Sequence, residues 1–282
     1  MKFVKMQGTG NDFVVIESNV VTRDWSQTAV AMCDRHFGIG ADGLLIVSKS
    51  NVADFRMRLF NADGSEGQTC GNGLRCVARY CVEKGLTDAS EISVETLAGV
   101  SKLRLYKTSG RLTKVRVGMG KPKFRAGDVP VVIEDKRWNK PGPILDYPVT
   151  VKGNKLSLSF VSMGTPHAVH FIPGPVADFP LSQIGPMVER LDILPDRVNF
   201  EIARVMPKQI EVRVWERGVG ETLACGSGAC AVAVVARLHR YIDSNKINIK
   251  LPGGMLKIEW DGDGEVFLNG PAETVFTGEW PD

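Results

Sequence analysis

The sequence predicts an α/β protein made of two similar domains, and three observations support this fold class. The chain has 282 residues, about twice the length of a typical single domain. Runs with strand or helix periodicity alternate along both halves. A Cys-Gly-x-Gly motif at Cys70 recurs at Cys225. This domain-sized spacing indicates duplication of a whole domain and not a short solenoid repeat.

Strands and helices are predicted in turn along the first half. Apolar or alternating runs predict strands at residues 14–17, 44–47, 55–60, 91–94, 102–105 and 114–117. Asp24 is a suitable N-cap for a first helix, which we expect to end near Gly38. A second helix begins near Cys70 and ends at Gly85. Its apolar positions follow i, i+3, i+4, i+7 spacing at Leu74, Val77, Ala78 and Cys81.

The second half repeats this arrangement after a proline-rich stretch. Residues 120–149 contain five prolines, at positions 122, 130, 141, 143 and 148, which indicates a domain boundary. Strands are then predicted at residues 157–161, 168–171, 200–205 and 210–215, and a short helix at 182–191. An apolar helix follows from Cys225 to about Tyr241, and residues 252–254 form the turn of a hairpin.

The repeat extends beyond the two cysteines. A shift of 155 residues superimposes four pairs, which are Cys70 with Cys225, Gly71 with Gly226, Gly73 with Gly228, and Glu66 with Glu221. Both copies follow a strand and a turn-rich loop, and both begin an apolar helix. Chance similarity of glycine-rich turns is the alternative explanation, but the joint agreement in residue type and context favours duplication.

A cysteine at the start of a helix has a defined chemistry. The unpaired N–H groups and the positive end of the helix dipole lower the thiol pKa, and the same N–H groups bind carboxylates. Two such turns can share one carboxylate and place a sulfur on each side of its α-carbon. A thiolate then removes the α-proton from one face while a thiol protonates the other, which inverts the stereocentre. The remaining cysteines, Cys33, Cys76, Cys81 and Cys230, are interpreted as small buried side chains.

Composition excludes several functional classes. The net charge of +3 is too small to indicate binding to nucleic acid or an anionic membrane. The longest apolar run, residues 229–236, is too short to span a bilayer. The N-terminus lacks a secretory signal, so we expect a cytoplasmic protein with reduced thiols. No C-x-x-C motif or histidine–carboxylate cluster occurs, so we expect neither a metal nor pyridoxal phosphate.

Segments along nearly the whole chain resemble those of diaminopimelate epimerases and occur in the same order. They are residues 8–13, 35–43, 60–65, 70–76, 163–167, 198–200, 215–218 and 224–230. The resemblance implies a cofactor-independent isomerase that interconverts LL- and meso-diaminopimelate for lysine and peptidoglycan synthesis. It also implies two pseudo-symmetric domains, each a curved, mostly antiparallel sheet wrapped around a central helix that starts at the catalytic cysteine.

The resemblance also carries an expected organisation. We expect an N-terminal domain of residues 1–119, completed by the C-terminal tail 268–282, and a C-terminal domain of residues 120–267. The family is commonly dimeric, so we expect a homodimer whose contacts involve the tail around Phe276.

The resemblance assigns roles position by position. Cys70 and Cys225 are the acid/base pair, and His167 and Glu216 tune their pKa values. The reacting carboxylate is bound by the backbone of Gly71, Asn72, Gly226 and Ser227. The rest of the substrate is held by Asn11, Asn61, Thr165, Asn199, Glu216 and Arg217. Thr165 departs from the family, which usually has asparagine there, and this bears on the choice of substrate.

Alternatives to these roles remain open. His167 can be a structural histidine after a proline turn, and the Glu216–Arg217 pair can be merely exposed charge. The three asparagines can be turn or capping residues. For the whole protein, the alternatives are a racemase of the same superfamily acting on another amino acid such as histidine or proline, a thiol redox protein, and a non-catalytic amino-acid-binding module.

Overall fold

The computed structural model describes residues 1–19, 23–135, 137–138 and 142–281. Pro141, one of the prolines of the predicted boundary, and Asp282, at the end of the predicted tail, lie outside these residues. The helices are α1 (Trp25–Cys33), α2 (Gly71–Glu83), α3 (Leu181–Glu189) and α4 (Gly226–Leu238). The strands are β1 (Lys2–Gly8), β2 (Asn11–Glu17), β3 (Gly43–Ser48), β4 (Phe55–Asn61), β5 (Glu66–Gly67), β6 (Glu91–Thr96), β7 (Gly99–Thr108), β8 (Arg111–Gly118), β9 (Tyr147–Val151), β10 (Asn154–Ser162), β11 (Pro166–Phe171), β12 (Asn199–Val205), β13 (Ile210–Glu216), β14 (Gly220–Thr222), β15 (Lys246–Leu251), β16 (Gly254–Glu259), β17 (Phe267–Gly270) and β18 (Glu273–Glu279).

The chain forms two compact units. Unit 1 comprises Met1–Gly118 together with Asn269–Asp282, and unit 2 comprises Met119–Leu268. No helix among the described residues is long and apolar enough to cross a membrane.

The sheet of unit 1 is mostly antiparallel with two parallel pairs. β1 pairs antiparallel with β18 and β2, and β2 pairs parallel with β3. β4 pairs antiparallel with β3 and β5 and parallel with β6, and β6, β7 and β8 continue as antiparallel neighbours. The β1–β2 hairpin turns at Thr9 and Gly10, whose φ values of 61° and 83° are those of a type I′ turn. This turn places Asn11 at the start of β2.

Unit 2 repeats the same pairing sequence. β10 pairs antiparallel with β9 and β11, and β11 pairs parallel with β12. β13 is antiparallel to β12 and β14 and parallel to β15, which is antiparallel to β16. The bounds of α2, β4 and β6, moved along by 155 residues, coincide with those of α4, β13 and β15. The predicted mixed α/β fold with an internal duplication is therefore confirmed.

A buried helix lies at the centre of each unit. In unit 1, α2 contacts β1, β2, β3, β4 and β8, and its first eight residues are all buried. In unit 2, α4 contacts β10 to β13, β15 and β16. Its apolar residues pack in one cluster with Val161, Val169 and Ala203 of the surrounding strands. Helix α4 is apolar on all sides because the sheet surrounds it.

Helices α1 and α4 end earlier than predicted, and each of these two ends has a local cause. Helix α1 ends at Cys33 because the Asp34 carboxylate accepts hydrogen bonds from the N–H groups of His36 and Phe37 at 2.7 Å each. Such a side-chain bond offers the backbone an alternative to the helix. Helix α4 ends at Leu238 because Arg240 adopts a left-handed φ of 59°, a common helix-terminating conformation.

Candidate active site

Helix α2 begins at Cys70, which acts as its N-cap. The residue has extended backbone angles of φ −149° and ψ 119°, and its sulfur accepts the Gly73 N–H at 3.5 Å. A thiol thus takes the place of the serine or aspartate oxygen that usually caps a helix. Gly71 and Asn72 are the first two helical residues, so their N–H groups have no acceptor within the helix.

Two of the predicted substrate-binding asparagines lie beside Cys70. The Asn11 Oδ1 atom is 3.7 Å from the Cys70 sulfur and accepts a hydrogen bond from Asn72 Nδ2 at 3.1 Å. The other end of the Asn11 amide donates to the Asp42 carboxylate at 2.7 Å. Because a carboxylate can only accept, this bond fixes which end of the Asn11 amide faces the thiol. Asn61, by contrast, bonds to Ser65 within a turn at the end of β4.

Arg75, whose role was not predicted from the sequence, supports this arrangement from inside unit 1. Its side chain is completely buried and donates to Asn72 Oδ1, to the hydroxyl of Thr9 and to the Pro271 carbonyl, each at 2.9 Å. Arg75 therefore connects the start of α2 to the β1–β2 turn and to the C-terminal tail. The signal in the sequence was a charged residue among the apolar positions Leu74, Val77 and Ala78 of the predicted helix.

A cluster of four charged residues, also missed, surrounds the start of β2. Asp12 pairs with Lys5 at 2.6 Å and with Arg35 at 2.9 Å, and Arg35 also bonds Asp42 at 2.8 Å. Burial on its own would raise the pKa of Asp12, but the hydrogen bonds and charges of Arg35 and Lys5 bring it below its ordinary value. Asp42, which orients Asn11, is therefore itself held by Arg35, which also pairs with Asp12.

Helix α4 begins at Cys225 in the same way as α2 begins at Cys70. Cys225 has φ −116° and ψ 116°, and its sulfur accepts the Gly228 N–H at 3.4 Å. The Ser227 hydroxyl lies 3.4 Å from the same sulfur. Gly226 and Ser227 are the first helical residues, and their N–H groups are again without an intrahelical acceptor. Both motifs are thus at helix starts, as predicted.

The expected lowering of the pKa is wrong for Cys225. Burial, and after it the charges of Glu216 and Glu201, raise the pKa of this thiol well above its ordinary value, against hydrogen bonds from Ser227 and the Gly228 N–H. Both hydrogen bonds come from the helix start and favour the thiolate, but burial and the two carboxyl groups outweigh them. Cys225 is therefore protonated at neutral pH in this structure.

His167 lies in a fully buried polar group next to Cys225. Its Nδ1 atom is 2.7 Å from Oε1 of Glu201, and both side chains are completely buried. Its Nε2 atom is 3.0 Å from the Thr165 hydroxyl, which is in turn 3.5 Å from the Ser227 hydroxyl. The sequence analysis missed Glu201. Its signal was a charged residue between the apolar residues Phe200 and Ile202 in the strand predicted at 200–205.

The remaining predicted residues of unit 2 form a second group around Asn199. The Asn199 side chain accepts the Arg217 N–H at 2.8 Å and its Nδ2 atom is 3.5 Å from the Thr165 hydroxyl. The Arg217 guanidinium donates to the Asp196 carbonyl at 2.8 Å. Burial raises the pKa of Glu216, opposed by hydrogen bonds from Thr222 and Cys225. Thr165, Asn199, Glu216 and Arg217 are therefore brought together with His167 and Cys225 in unit 2.

The other four cysteines are buried in the cores of their units. Burial raises the pKa of Cys33, Cys76 and Cys81 to about 12, and Cys230 is completely buried in α4. All six cysteines lie among the described residues, and each is a free thiol. Among these six, only Cys70 and Cys225 cap a helix.

Comparisons with known proteins identify the family of the chain. The model of the family described as "Diaminopimelate epimerase" matches residues 3–125 and 159–275. A diaminopimelate epimerase from Caldanaerobacter subterraneus subsp. tengcongensis is 45% identical over 280 residues, which cover 99% of each chain.

Two solved structures share the fold at low sequence identity. A PhzF-family phenazine biosynthesis protein from Bacillus anthracis has a TM-score of 0.73 and 15% identity, covering 100% of this chain and 99% of that one. A hydroxyproline epimerase from Agrobacterium vitis has a TM-score of 0.71 and 13% identity, covering 99% and 91%.

The fold is therefore one that a hydroxyproline epimerase also adopts. The family model and the full-length relative narrow the class to one family of isomerases. The chain belongs to the diaminopimelate epimerase family.

Proposed function

We propose that the protein interconverts LL- and meso-diaminopimelate, in the synthesis of lysine and peptidoglycan precursors, by two-base proton transfer between Cys70 and Cys225. The relative that is 45% identical over the full length supports the substrate. The single observation that carries the mechanism is the repeated N-cap: in each unit, the only free thiol at a helix start accepts an N–H from the third residue after it.

The proposed step inverts one α-carbon. A thiolate on one face removes the α-proton, so an S–H bond forms as the C–H bond breaks. The other thiol gives its proton to the opposite face, so a C–H bond forms as its S–H bond breaks. The two cysteines have then exchanged protonation states, and the reverse reaction starts from that state. General acid–base catalysis of this kind contributes on the order of 10²–10⁴-fold in rate.

The surroundings of Cys225 support its resting role. Since burial and two carboxyl groups raise the pKa of Cys225, it begins the proposed cycle as the thiol, and Cys70 begins it as the base. After donating its proton, the Cys225 thiolate has the Gly228 N–H and the Ser227 hydroxyl as donors within 3.4 Å. These contacts are the ones that a newly formed thiolate needs.

The start of each central helix is where we expect the substrate to bind, because N–H groups at a helix start bind carboxylates. We propose that the reacting carboxylate is bound by the N–H groups of Gly71, Asn72, Gly226 and Ser227, which open α2 and α4. For the other end of the substrate, Arg217 suits a carboxylate because its guanidinium binds carboxylates in a bidentate manner. Glu216 and the amide oxygens suit an ammonium group, and Asn11, Asn61, Thr165 and Asn199 complete the set.

The alternatives to this function are a thiol redox protein, a non-catalytic amino-acid-binding module and an epimerase for another amino acid. Membership in an epimerase family argues against a thiol redox protein and against a non-catalytic binding module. An epimerase for another amino acid remains the second candidate, because Thr165 replaces the usual asparagine in the group that we assign to the distal end of the substrate. This candidate keeps both thiols and changes only the substrate.

The decisive experiment is exchange in D2O. Incubation with LL-diaminopimelate and no added cofactor should give meso product carrying deuterium at one α-carbon. Cys70→Ser and Cys225→Ser should each reduce turnover by about 10²-fold or more. Cys76→Ala and Cys230→Ala change buried thiols in the interiors of the same helices and are the matched controls, with turnover expected within a few-fold of the unaltered protein.

Each outcome separates mechanism from substrate. Exchange on proline or histidine but not on diaminopimelate would transfer the assignment to the second candidate. Near-normal turnover in either serine variant would eliminate the two-thiol mechanism, whatever the substrate.

We also propose that the protein is a cytoplasmic homodimer. Val275 and Phe276 of β18 are 57% and 47% exposed, and exposed apolar residues of this kind suit a contact with a second copy. The molar mass in solution, measured by light scattering, tests whether the protein is a dimer.

A further inference from the structure

Glu201 is a buried acid on strand β12 with an unusual environment. Its side chain is completely buried, and its neighbours Phe200 and Ile202 belong to the apolar cluster that packs around α3. The next residue on the same face of the strand, Ala203, packs against α4 instead. Because side chains alternate along a strand, Glu201 projects toward α4 and not toward α3.

The carboxyl group touches the start of α4 directly. A Cβ atom added to Gly228 would lie 2.7 Å from Glu201 Oε1 and 3.4 Å from the Cys225 sulfur. Glycine at this position therefore leaves room for the acid beside the catalytic turn. Among the described residues, the second oxygen, Oε2, is buried without a hydrogen-bond partner. An unsatisfied buried carboxylate oxygen is costly, so packing alone does not account for an acid at this position.

Glu201 determines which nitrogen of His167 carries a proton. A carboxylate can only accept hydrogen bonds, and Glu201 Oε1 is 2.7 Å from His167 Nδ1. The proton of the neutral imidazole is therefore on Nδ1, which leaves the Nε2 lone pair facing the Thr165 hydroxyl at 3.0 Å. Fixing a tautomer through the other ring nitrogen is a known way for an acid to act through a histidine.

This tautomer decides where the Thr165 hydroxyl sends its single hydrogen. Thr165 can donate either to His167 Nε2 at 3.0 Å or to the Ser227 hydroxyl at 3.5 Å. With the lone pair on Nε2, Thr165 donates to the imidazole, and the Ser227 oxygen accepts from the Cys225 thiol, 3.4 Å away. With the proton on Nε2 instead, the imidazole would donate to the Thr165 oxygen, and Thr165 would give its hydrogen to Ser227.

We propose that Glu201 is a positioning residue of the reaction: it holds His167 as the Nδ1–H tautomer, so that Thr165 donates to the imidazole and the Ser227 oxygen accepts from the thiol of Cys225. The link to turnover rests on the proposed function, whereas the tautomer itself does not. Glu201 makes no contact with substrate in this scheme.

Nitrogen NMR of the imidazoles tests the tautomer without any substrate. The chain has four histidines, and a His167→Gln variant identifies the His167 signals. We expect a protonated Nδ1 and an unprotonated Nε2 in the unaltered protein and in Glu201→Gln, whose amide oxygen can still accept. Glu201→Met has a similar length but no comparable acceptor, and we expect the proton to move to Nε2. Unchanged signals of His170 and His239, which lie elsewhere in unit 2, report that the unit is folded.

Turnover provides the second measurement. We expect kcat to fall by about 10²-fold in Glu201→Met and by at most about tenfold in Glu201→Gln, with KM nearly unchanged in both. Thr165→Val should lower kcat while leaving the proton on Nδ1, and Thr165→Ser should restore kcat. An Nε2–H tautomer in the unaltered protein, or full turnover in Glu201→Met, would overturn the proposal. If the unaltered protein does not act on diaminopimelate, the proposed function fails, and the NMR result still decides the tautomer.

Discussion

Equivalent glycines in the two units should differ in how much stability they lose on substitution by alanine. Gly73 and Gly228 occupy the third position after Cys70 and Cys225, and both N–H groups donate to a sulfur. At Gly73, the first obstacle to an added Cβ is a methyl group of Leu45 at 3.3 Å. At Gly228, it is the Glu201 carboxylate at 2.7 Å. The two Gly→Ala variants therefore differ in what must move.

The magnitudes follow from these neighbours. Alanine is favoured over glycine in a helix by about 0.5–1 kcal/mol. The Leu45 side chain can yield by a few tenths of an ångström, so Gly73→Ala should change the free energy of unfolding by less than about 0.5 kcal/mol. Glu201 is held by His167 and cannot yield without disturbing that pair, and overpacking of this kind costs about 1–3 kcal/mol. The net loss for Gly228→Ala is then about 1–2 kcal/mol, or roughly 2–8 °C in Tm.

Thermal and denaturant unfolding of the two variants, measured beside the unaltered protein, provide the comparison. Gly228→Ala should have the lower midpoint by both methods, and its His167 signals should shift because the carboxylate is displaced. A Gly73→Ala variant that is as unstable as Gly228→Ala would refute the reasoning, since helix propensity and position are matched between the two sites.

Two further predictions concern pH and have opposite signs. Burial raises the pKa of Glu216. Its ionisation therefore lowers the stability of the fold as pH rises above the ordinary glutamate pKa of about 4.3. Compared with the unaltered protein, Glu216→Gln should have a higher Tm at pH 8, an equal Tm near pH 4 and lower turnover. Burial on its own would raise the pKa of Asp12, but Arg35 and Lys5 bring it below its ordinary value. The stabilisation that Asp12 provides is therefore present above about pH 4 and is lost as pH falls below that value. Asp12→Asn should lose about 1–3 kcal/mol of unfolding free energy at pH 7, and its Tm should change less between pH 5 and 3 than the Tm of the unaltered protein. An equal change of Tm with pH in the variant and the unaltered protein would contradict this.

Several features were predictable because they depend on short-range rules. Helix starts at Cys70 and Cys225 follow from a residue able to cap the helix, followed by an apolar periodic run, and both are confirmed. The duplication was visible as matched residues at one spacing, and the pairing order of the strands confirms it. The strands β1 and β18 were not predicted; β18 exposes much of its length, so it lacks the alternation of a half-buried strand.

The group around each thiol was only partly predictable. Motif resemblance identified Asn11, Asn72, His167 and Thr165. The structure connects Asn72 to Cys70 through Asn11, and His167 to Cys225 through Thr165 and Ser227. The resemblance did not identify Arg75 or Glu201, because one charged residue in an apolar segment carries no information about which distant group it meets.

Sequence alone therefore determined the duplicated α/β fold, the position of a thiol at the start of each central helix and the family to which the chain belongs. Tertiary structure decided the charge state of Cys225 and the support of both thiols. The reason is the range of the forces involved: capping and periodicity act within a few residues, whereas burial and charge depend on segments far apart in the chain. Glu201 meets His167 across 34 residues, and Arg75 meets Pro271 across 196.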